Sequence, residues 1–373
     1  MTDEESEKQL KELVLHARFA DGERLARQVR EDAQRAENQA LAADAAFVLG
    51  QCCFEQLRLQ DAWDAFADVV ADRTELYGPN SIRAAHARGW LACVSISMHR
   101  TAEAKSLLER AKVAISTFFA SPTEQEQIIA ADTLKAIGFV ETRLQQTKSA
   151  IEHLRRGLEV LEAAPDAHEL EIAAMCVILG MAEQTAKHFD RAEEQFQRAL
   201  DIRLRILGED NQLVAYCRNH VGISRMFAGN PREAEELADK SVAGLESLPV
   251  DGRLAASSLG SRGVIAAVEE DHTKAIDTLE KALVAGGGSD AETPEVAQTL
   301  VMLGLVQLGF EKPDLAEPHL RRAVKILLPL HQTELDALFK AFNNTLMALN
   351  AQRKFKEVIT FAEPILEKLQ NEA

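Results

Sequence analysis

Glu269, Glu270, Asp271 and His272 form the densest grouping of carboxylates and imidazole in this chain. Oxygen and imidazole donors gathered in this way could hold a divalent cation or pass a proton. Four residues adjacent in sequence also describe an exposed, charged turn, and that reading needs no chemistry. His86, His188 and His220 stand far apart with no ligand spacing between them. The five cysteines, Cys52, Cys53, Cys93, Cys176 and Cys217, contain no C-x-x-C pair and leave one over. No H-E-x-x-H, phosphate-cradling G-x-x-x-x-G-K-[ST], G-x-S-x-G or dinucleotide fingerprint occurs. The sequence therefore predicts no catalytic residue, no metal and no cofactor.

The elements that would have to position such groups are helical. Of the 373 residues, 46% are hydrophobic but only 5% are aromatic, a balance that suits helices better than a β-sandwich. Acidic residues outnumber basic ones 59 to 42, for a formal net charge of −17. A chain so acidic gains little from counterion release on a phosphate backbone, and nucleic acid is not an expected partner. Anionic membrane surfaces are disfavoured on the same ground. No stretch approaches the roughly 20 apolar residues of a membrane helix, and the polar segment Met1–Glu12 does not read as a secretory signal. Scattered thiols in helical patterns behave as small hydrophobes, so a reducing cytoplasm is the expected compartment.

A repeat organises the chain. Gly50, Ala92, Gly138, Gly180, Gly222, Gly263, Gly304 and Leu346 follow one another at spacings of 42, 46, 42, 42, 41, 41 and 42. Twelve residues after each stands Ala62, Ala104, Ala150, Ala192, Ala234, Ala275, Ala316 or Val358. Four further on come Phe66, Leu108, Leu154, Phe196, Ala238, Leu279, Leu320 and Ala362. These offsets place a small residue on a first helix, a matching small residue on a second, and a large one that fills the gap beside them. One such hairpin cannot bury its apolar face, so the units must stack. Arg262 and Thr345 replace the large residue that precedes the small site elsewhere, which marks the sixth and eighth units as weaker.

Large–Gly, then Ala, Phe or Leu, and Ala at these offsets resembles the tetratricopeptide repeat. The links Ile206–Asn211, Leu76–Asn80 and Thr293–Ala297 resemble those of the extended, 42-residue repeats of kinesin light chains and similar bacterial proteins. The resemblance covers roughly residues 43–370. It implies an all-α fold, a right-handed α-solenoid of stacked helix-turn-helix hairpins. Residues 41–373 are expected to form about eight repeats in one continuous domain. Residues 1–40 read as an atypical N-terminal hairpin that caps it, turning at Asp21–Gly22. An insertion is expected near Ser121–Thr123, with further links at Pro249–Gly252 and Gly286–Asp290. Lys354, Lys356 and Lys368 read as a solvated cap at the far end.

In this family the first helix of each unit lines the concave face, and that face binds proteins. Carried onto this chain, the resemblance singles out Met181, Tyr216, Asn219, Ile223, Met226, Phe227, Val264, Leu305 and Leu308 as partner-contacting residues. Their apolar character favours an apolar or amphipathic protein segment over a charged one. Two known gripping patterns are missing. Lys135, Asn219 and Lys340 are too dispersed for a carboxylate clamp. Only Asn344 occupies the site two residues before the small position, where kinesin light chains place an asparagine. The expected function is a non-enzymatic adaptor, scaffold or regulator. The alternatives are a self-associating subunit of a larger assembly, which would make the chain a homo-oligomer, or the regulatory partner of a separate protease or kinase.

Overall fold

A computed structural model of the chain describes residues 2–118, 123–163, 168–246, 252–288 and 291–371. Among them the secondary structure is helical, with eighteen α-helices and no strand. The chain packs as two compact units, Met1–Gly208 and Glu209–Ala373.

The first unit runs α1 (Asp3–Leu15), α2 (Phe19–Arg35), α3 (Gln39–Glu55), α4 (Leu59–Tyr77), α5 (Ile82–Ser97), α6 (Thr101–Phe118), α7 (Glu124–Arg143), α8 (Thr147–Glu162), α9 (Glu169–Thr185) and α10 (Phe189–Leu207). The second runs α11 (Gln212–Phe227), α12 (Pro231–Glu246), α13 (Gly252–Val268), α14 (His272–Ala285), α15 (Pro294–Gly309), α16 (Pro313–Leu327), α17 (His331–Ala351) and α18 (Phe355–Asn371). A 3₁₀ turn, Leu328–Leu330, precedes α17. Within each unit the helices pair as the repeat requires, α3 with α4, α5 with α6, and so on, and each hairpin packs on the next. Each unit is thus a stack of helix-turn-helix hairpins, the solenoid packing expected from the spacing.

The small sites permit that pairing. A β-carbon on Gly180 would stand 2.8 Å from the Phe196 ring, and one on Gly50 2.9 Å from Phe66. Gly263 and Gly304 stand in the same relation to Leu279 and Leu320, at 2.6 and 2.5 Å. Phe66, Leu154, Phe196, Leu279 and Leu320 are fully buried, so the large side chain lies where a larger first-helix residue would have to go. The sixth unit, where Arg262 breaks the pattern, turns that arginine to an ion pair with Asp239 at 2.7 Å.

A second register feature was not anticipated. Seven residues after the small site, each hairpin turns through a residue with left-handed backbone. These are Leu57, His99, Gln145, Lys187, Gly229, Glu270, Glu311 and Arg353, with φ between 58° and 88°. The carbonyls they release are recovered. Leu57 N–H donates to Phe54 O at 2.9 Å and Arg58 N–H to Cys53 O at 2.9 Å, a Schellman ending that recurs along the chain.

Buried carboxylates then stitch hairpin to hairpin. Glu141, three residues after Gly138, accepts from Ser149 Oγ at 2.6 Å and His153 Nδ1 at 2.8 Å, and pairs with Lys112 at 3.2 Å. Glu183, three after Gly180, meets Arg155 at 2.8 Å and His188 at 2.7 Å. Glu317 accepts from Arg321, Lys354 and Gln352 at 2.7, 2.7 and 2.8 Å. Burial opposes ionisation of Glu317, but those three donors outweigh it and hold the carboxyl at about 2. Lys354 is therefore part of a packed junction between α16 and α18, beyond the solvated role expected of it.

The N-terminus departs from the expected boundaries. Asp21 and Gly22 lie inside α2, and the turn falls earlier, at His16–Arg18, where Ala17 has φ 58°. Asp21 is instead bridged by Arg18 and Arg24 on the first turns of α2, and Gly22 admits the Cys52 thiol of α3. Thr123 caps α7 through a capping box with Glu126, while Ser121 and Pro122 lie outside the described residues. Pro249–Asp251 and Ser289–Asp290 also lie outside them.

Left-handed backbone costs a side-chain-bearing residue about 1 kcal/mol more than glycine. Replacing the exposed Lys187 with glycine is expected to raise the stability of the chain by about 0.5–1 kcal/mol. The reverse exchange, Gly229→Lys, is expected to lower it by a similar amount. Urea unfolding followed by far-UV circular dichroism reads both.

Candidate functional site

Stacking puts residues of one register position side by side on successive first helices, so the rows can be followed within each unit. Six residues before the small site, α3, α5 and α7 carry Asp44, His86 and Asp132. These groups, with Arg73 of α4 and Lys135 of α7, form a continuous chain. Arg73 Nη2 donates to Asp44 Oδ1 at 2.7 Å, and its Nη1 lies 3.3 Å from His86 Nδ1. A guanidinium can only donate, so His86 accepts at Nδ1 and carries its proton on Nε2. That nitrogen donates to Asp132 Oδ2 at 2.6 Å. Trp90 Nε1 reaches the same oxygen at 2.7 Å, and Lys135 pairs with the other. Phe47 lies beneath the Arg73 guanidinium at 4.5 Å and beside the His86 ring at 4.4 Å.

The electrostatics follow from these partners. Burial disfavours the charge on His86 and lowers its pKa, which matches the neutral tautomer read from geometry. Burial also opposes ionisation of Asp132, but Lys135 and His86 outweigh it and hold the carboxyl well below the usual carboxylate range. Burial lifts Lys135 out of water, yet the Asp132 charge raises its pKa overall. A histidine–aspartate pair invites comparison with a general base. The neighbouring thiol, Cys93, is buried, donates to Ala136 O at 3.5 Å and has its pKa pushed up, so it stays protonated. What the arrangement does is join three hairpins through charge-assisted bonds. From α1, Lys11 meets Glu171 of α9 at 2.6 Å.

The sequence alone singled out only His86 and Lys135 of this chain of contacts, and in unrelated roles. The signal was present, because Asp44, His86 and Asp132 share one register position. Arg73 comes from a second helix, and the first-helix pattern gave no hint of it.

In the second unit the row one residue after the small site is apolar throughout: Ile223 on α11, Val264 on α13, Leu305 on α15 and Met347 on α17. Ile223 and Val264 are half-buried, while Leu305 and Met347 are 44% and 58% exposed. Five residues after the small site, Phe227 and Val268 are 57% and 56% exposed. Met226 is half-buried against Ala234, Ala238 and Ile265, and Leu308 against Ala316, Leu320 and Ala348. Asn219 is buried and bonded to Ser257 Oγ at 3.3 Å, within the contact between α11 and α13. Tyr216, half-buried, lies on the His220 ring at 4.4 Å, and burial lowers His220 to about 4. Met181 belongs to α9 of the first unit, where it is half-buried. Among the residues singled out from sequence, Phe227 and Leu305 are the most open to solvent. Met347 and Val268 share their rows and were not on the sequence's shortlist as binding residues.

The remaining candidates for chemistry resolve into structure. Glu270 makes the left-handed turn between α13 and α14, Asp271 caps α14 by accepting from Lys274 N at 3.0 Å, and His272 stacks on Phe310. All five cysteines are buried, and none is joined in a disulfide. Among the described residues no group of three or more His, Cys, Asp or Glu is placed to hold a metal ion. No described helix is long and apolar enough to cross a membrane.

An Asp132→Asn substitution tests the polar chain. A carboxyl whose folded pKa is depressed contributes stability that is full above its unfolded value, near 4, and is lost as pH falls toward the folded value. The variant is expected to be less stable by about 1–3 kcal/mol at pH 7. The gap between the two proteins should narrow below about pH 4. Denaturant unfolding at several pH values reads it, and a gap independent of pH would contradict the assignment.

Comparison with known proteins agrees with this geometry. The tetratricopeptide-repeat profile matches residues 129–203 and 171–247. No curated protein matches the chain. Among solved structures, the apo form of the quorum sensor NprR from B. thuringiensis is similar with a TM-score of 0.62 at 12% identity, covering 98% of each chain. A Rap protein complexed with competence and sporulation factor is similar with a TM-score of 0.61 at 14% identity, covering 95% of this chain and 99% of that one. NprR in complex with its cognate peptide NprX gives 0.59 at 12% identity over 89% of each. At such identities the likeness concerns the fold. The repeat register, the hairpin packing and the profile match over residues 129–247 together identify tetratricopeptide repeats in this chain.

Proposed function

We propose that the chain is a non-enzymatic interaction module whose second unit captures an apolar or amphipathic segment of a protein partner along its first helices. One observation carries the reading. Ile223, Val264, Leu305 and Met347 repeat one register position on four successive first helices, and Phe227 and Val268 extend the apolar surface on two of them. Large apolar side chains at matched positions on adjoining helices offer anchors of the kind that an amphipathic helix or extended peptide fills. Leu305 and Met347 stand free of the packing that half-covers Met226 and Leu308. Structural neighbours crystallised with a peptide or a factor support a protein or peptide ligand over nucleic acid, as does the net charge of −17. Buried thiols outside any disulfide suit the reducing cytoplasm in which an adaptor or regulator of this kind would work.

Selection of a random peptide library on the immobilised chain supplies the probe. Apolar or amphipathic peptides are expected to be enriched. Phe227→Asp combined with Leu305→Asp should weaken the selected peptides at least tenfold, since anchor residues carry about 1–3 kcal/mol each. Both side chains are exposed, so the thermal melt should hardly move. Enrichment without apolar character, or binding indifferent to the double substitution, would contradict the proposal.

A further inference from the structure

Helix α18 presents an apolar face to solvent. Phe355, Ile359 and Leu366 of α18 are 62%, 57% and 44% exposed. Their spacings of four and seven put them on one stripe. The opposite side of α18 is already used, with Ile365 buried and Phe361 stacked on Phe342 at 5.9 Å. Leu366 stands twenty residues after the small site of its unit. The same position holds Leu158 on α8, Val242 on α12 and Val324 on α16, and all three are buried where the next hairpin packs. On α18 the residue at this position, Leu366, is exposed instead.

Helix α1 is charged on its open side, where Glu4, Glu7, Lys8, Lys11 and Glu12 are all exposed. It therefore offers no apolar counterpart to α18, and a head-to-tail contact between copies would leave the stripe facing charges. The stripe is complementary to itself. Beside it run the exposed Lys356 near the start of the helix and Glu363 and Glu367 near its end, none with an ion pair among the described residues. An antiparallel pairing about a two-fold axis sets Phe355 against Leu366 of the second copy. It also sets Lys356 against Glu363 and Glu367 of that copy, twice over.

We infer that the outer face of α18 is an isologous dimer interface, closed by the same face of a second copy of this chain. Symmetry of this kind closes after two subunits and builds no filament. The inference is independent of the peptide-capture reading, which concerns the first helices.

Sedimentation velocity and light scattering over a concentration series test it. The wild-type chain should reach twice its 41.1 kDa. Ile359→Glu with Leu366→Glu should give a monomer with unchanged helical circular dichroism. Lys356→Glu alone should weaken association at least tenfold, and adding Glu367→Lys in the same chain should restore most of it. A wild-type chain that stays monomeric throughout overturns the inference, and so does a dimer that survives the double glutamate substitution. If the glutamate variant loses helicity, the charge exchange decides instead: no weakening by Lys356→Glu, or no restoration by Glu367→Lys, rejects the interface.

Discussion

Two helices can approach closely only if one of them gives up side-chain volume at the crossing. Here the first helix gives it up, at Gly50, Gly138, Gly180, Gly263 and Gly304. The second helix fills the space with Phe66, Leu154, Phe196, Leu279 and Leu320. The match is tight in both directions. A methyl group on the glycine side would collide, while truncating the buried partner would leave a cavity costing about 2–5 kcal/mol. The register of the small site recurs every 41 to 46 residues, so the crossing is repeated along each unit.

Everything else in the architecture follows from that fixed crossing. A constant geometry sets the turn, and so the left-handed residue falls seven positions after the small site in every repeat. It also aligns the first helices, so residues of one register position become neighbours across hairpins. The two units use that alignment differently. In the first, Asp44, His86 and Asp132 form one row, Arg73 bridging Asp44 to His86 and His86 donating directly to Asp132. In the second, a row of Ile223, Val264, Leu305 and Met347 has no polar partner to make, and its later members remain open. Contacts between hairpins are held by buried carboxylates, whose donors come from helices up to 37 residues away in sequence.

Much of this was legible in the amino acids because local rules decide it. Glycine, with 19 residues in the whole chain, is scarce enough for its recurrence at one register to reveal the period, and the large residue sixteen positions after the small site discloses which helix faces which. Legibility failed where a tertiary contact overruled a local preference. Asp21–Gly22 has the composition of a turn, yet Arg18 and Arg24 clamp the aspartate within helix and Cys52 occupies the space a β-carbon on the glycine would need. The polar chain of the first unit depends on Arg73, whose place beside His86 is fixed by packing and not by spacing. For the second unit, periodicity could name Met226, Leu308 and Phe227 together but could not sort them. Contact with the second helices covers the first two in part and leaves the third exposed.

The complementarity of small and large residues at the crossing is most directly tested by a double-mutant cycle at Gly180 and Phe196, read by denaturant unfolding. Gly180→Ala alone forces the buried ring to move and should destabilise the chain by about 1–3 kcal/mol. Phe196→Ala alone removes the buried ring and should also destabilise it. Together the two should cost at least about 1 kcal/mol less than their sum, because the space vacated by the ring receives the added methyl. Strictly additive losses would contradict the account, since they would mean that the glycine and the ring do not share the space on which the hairpin depends.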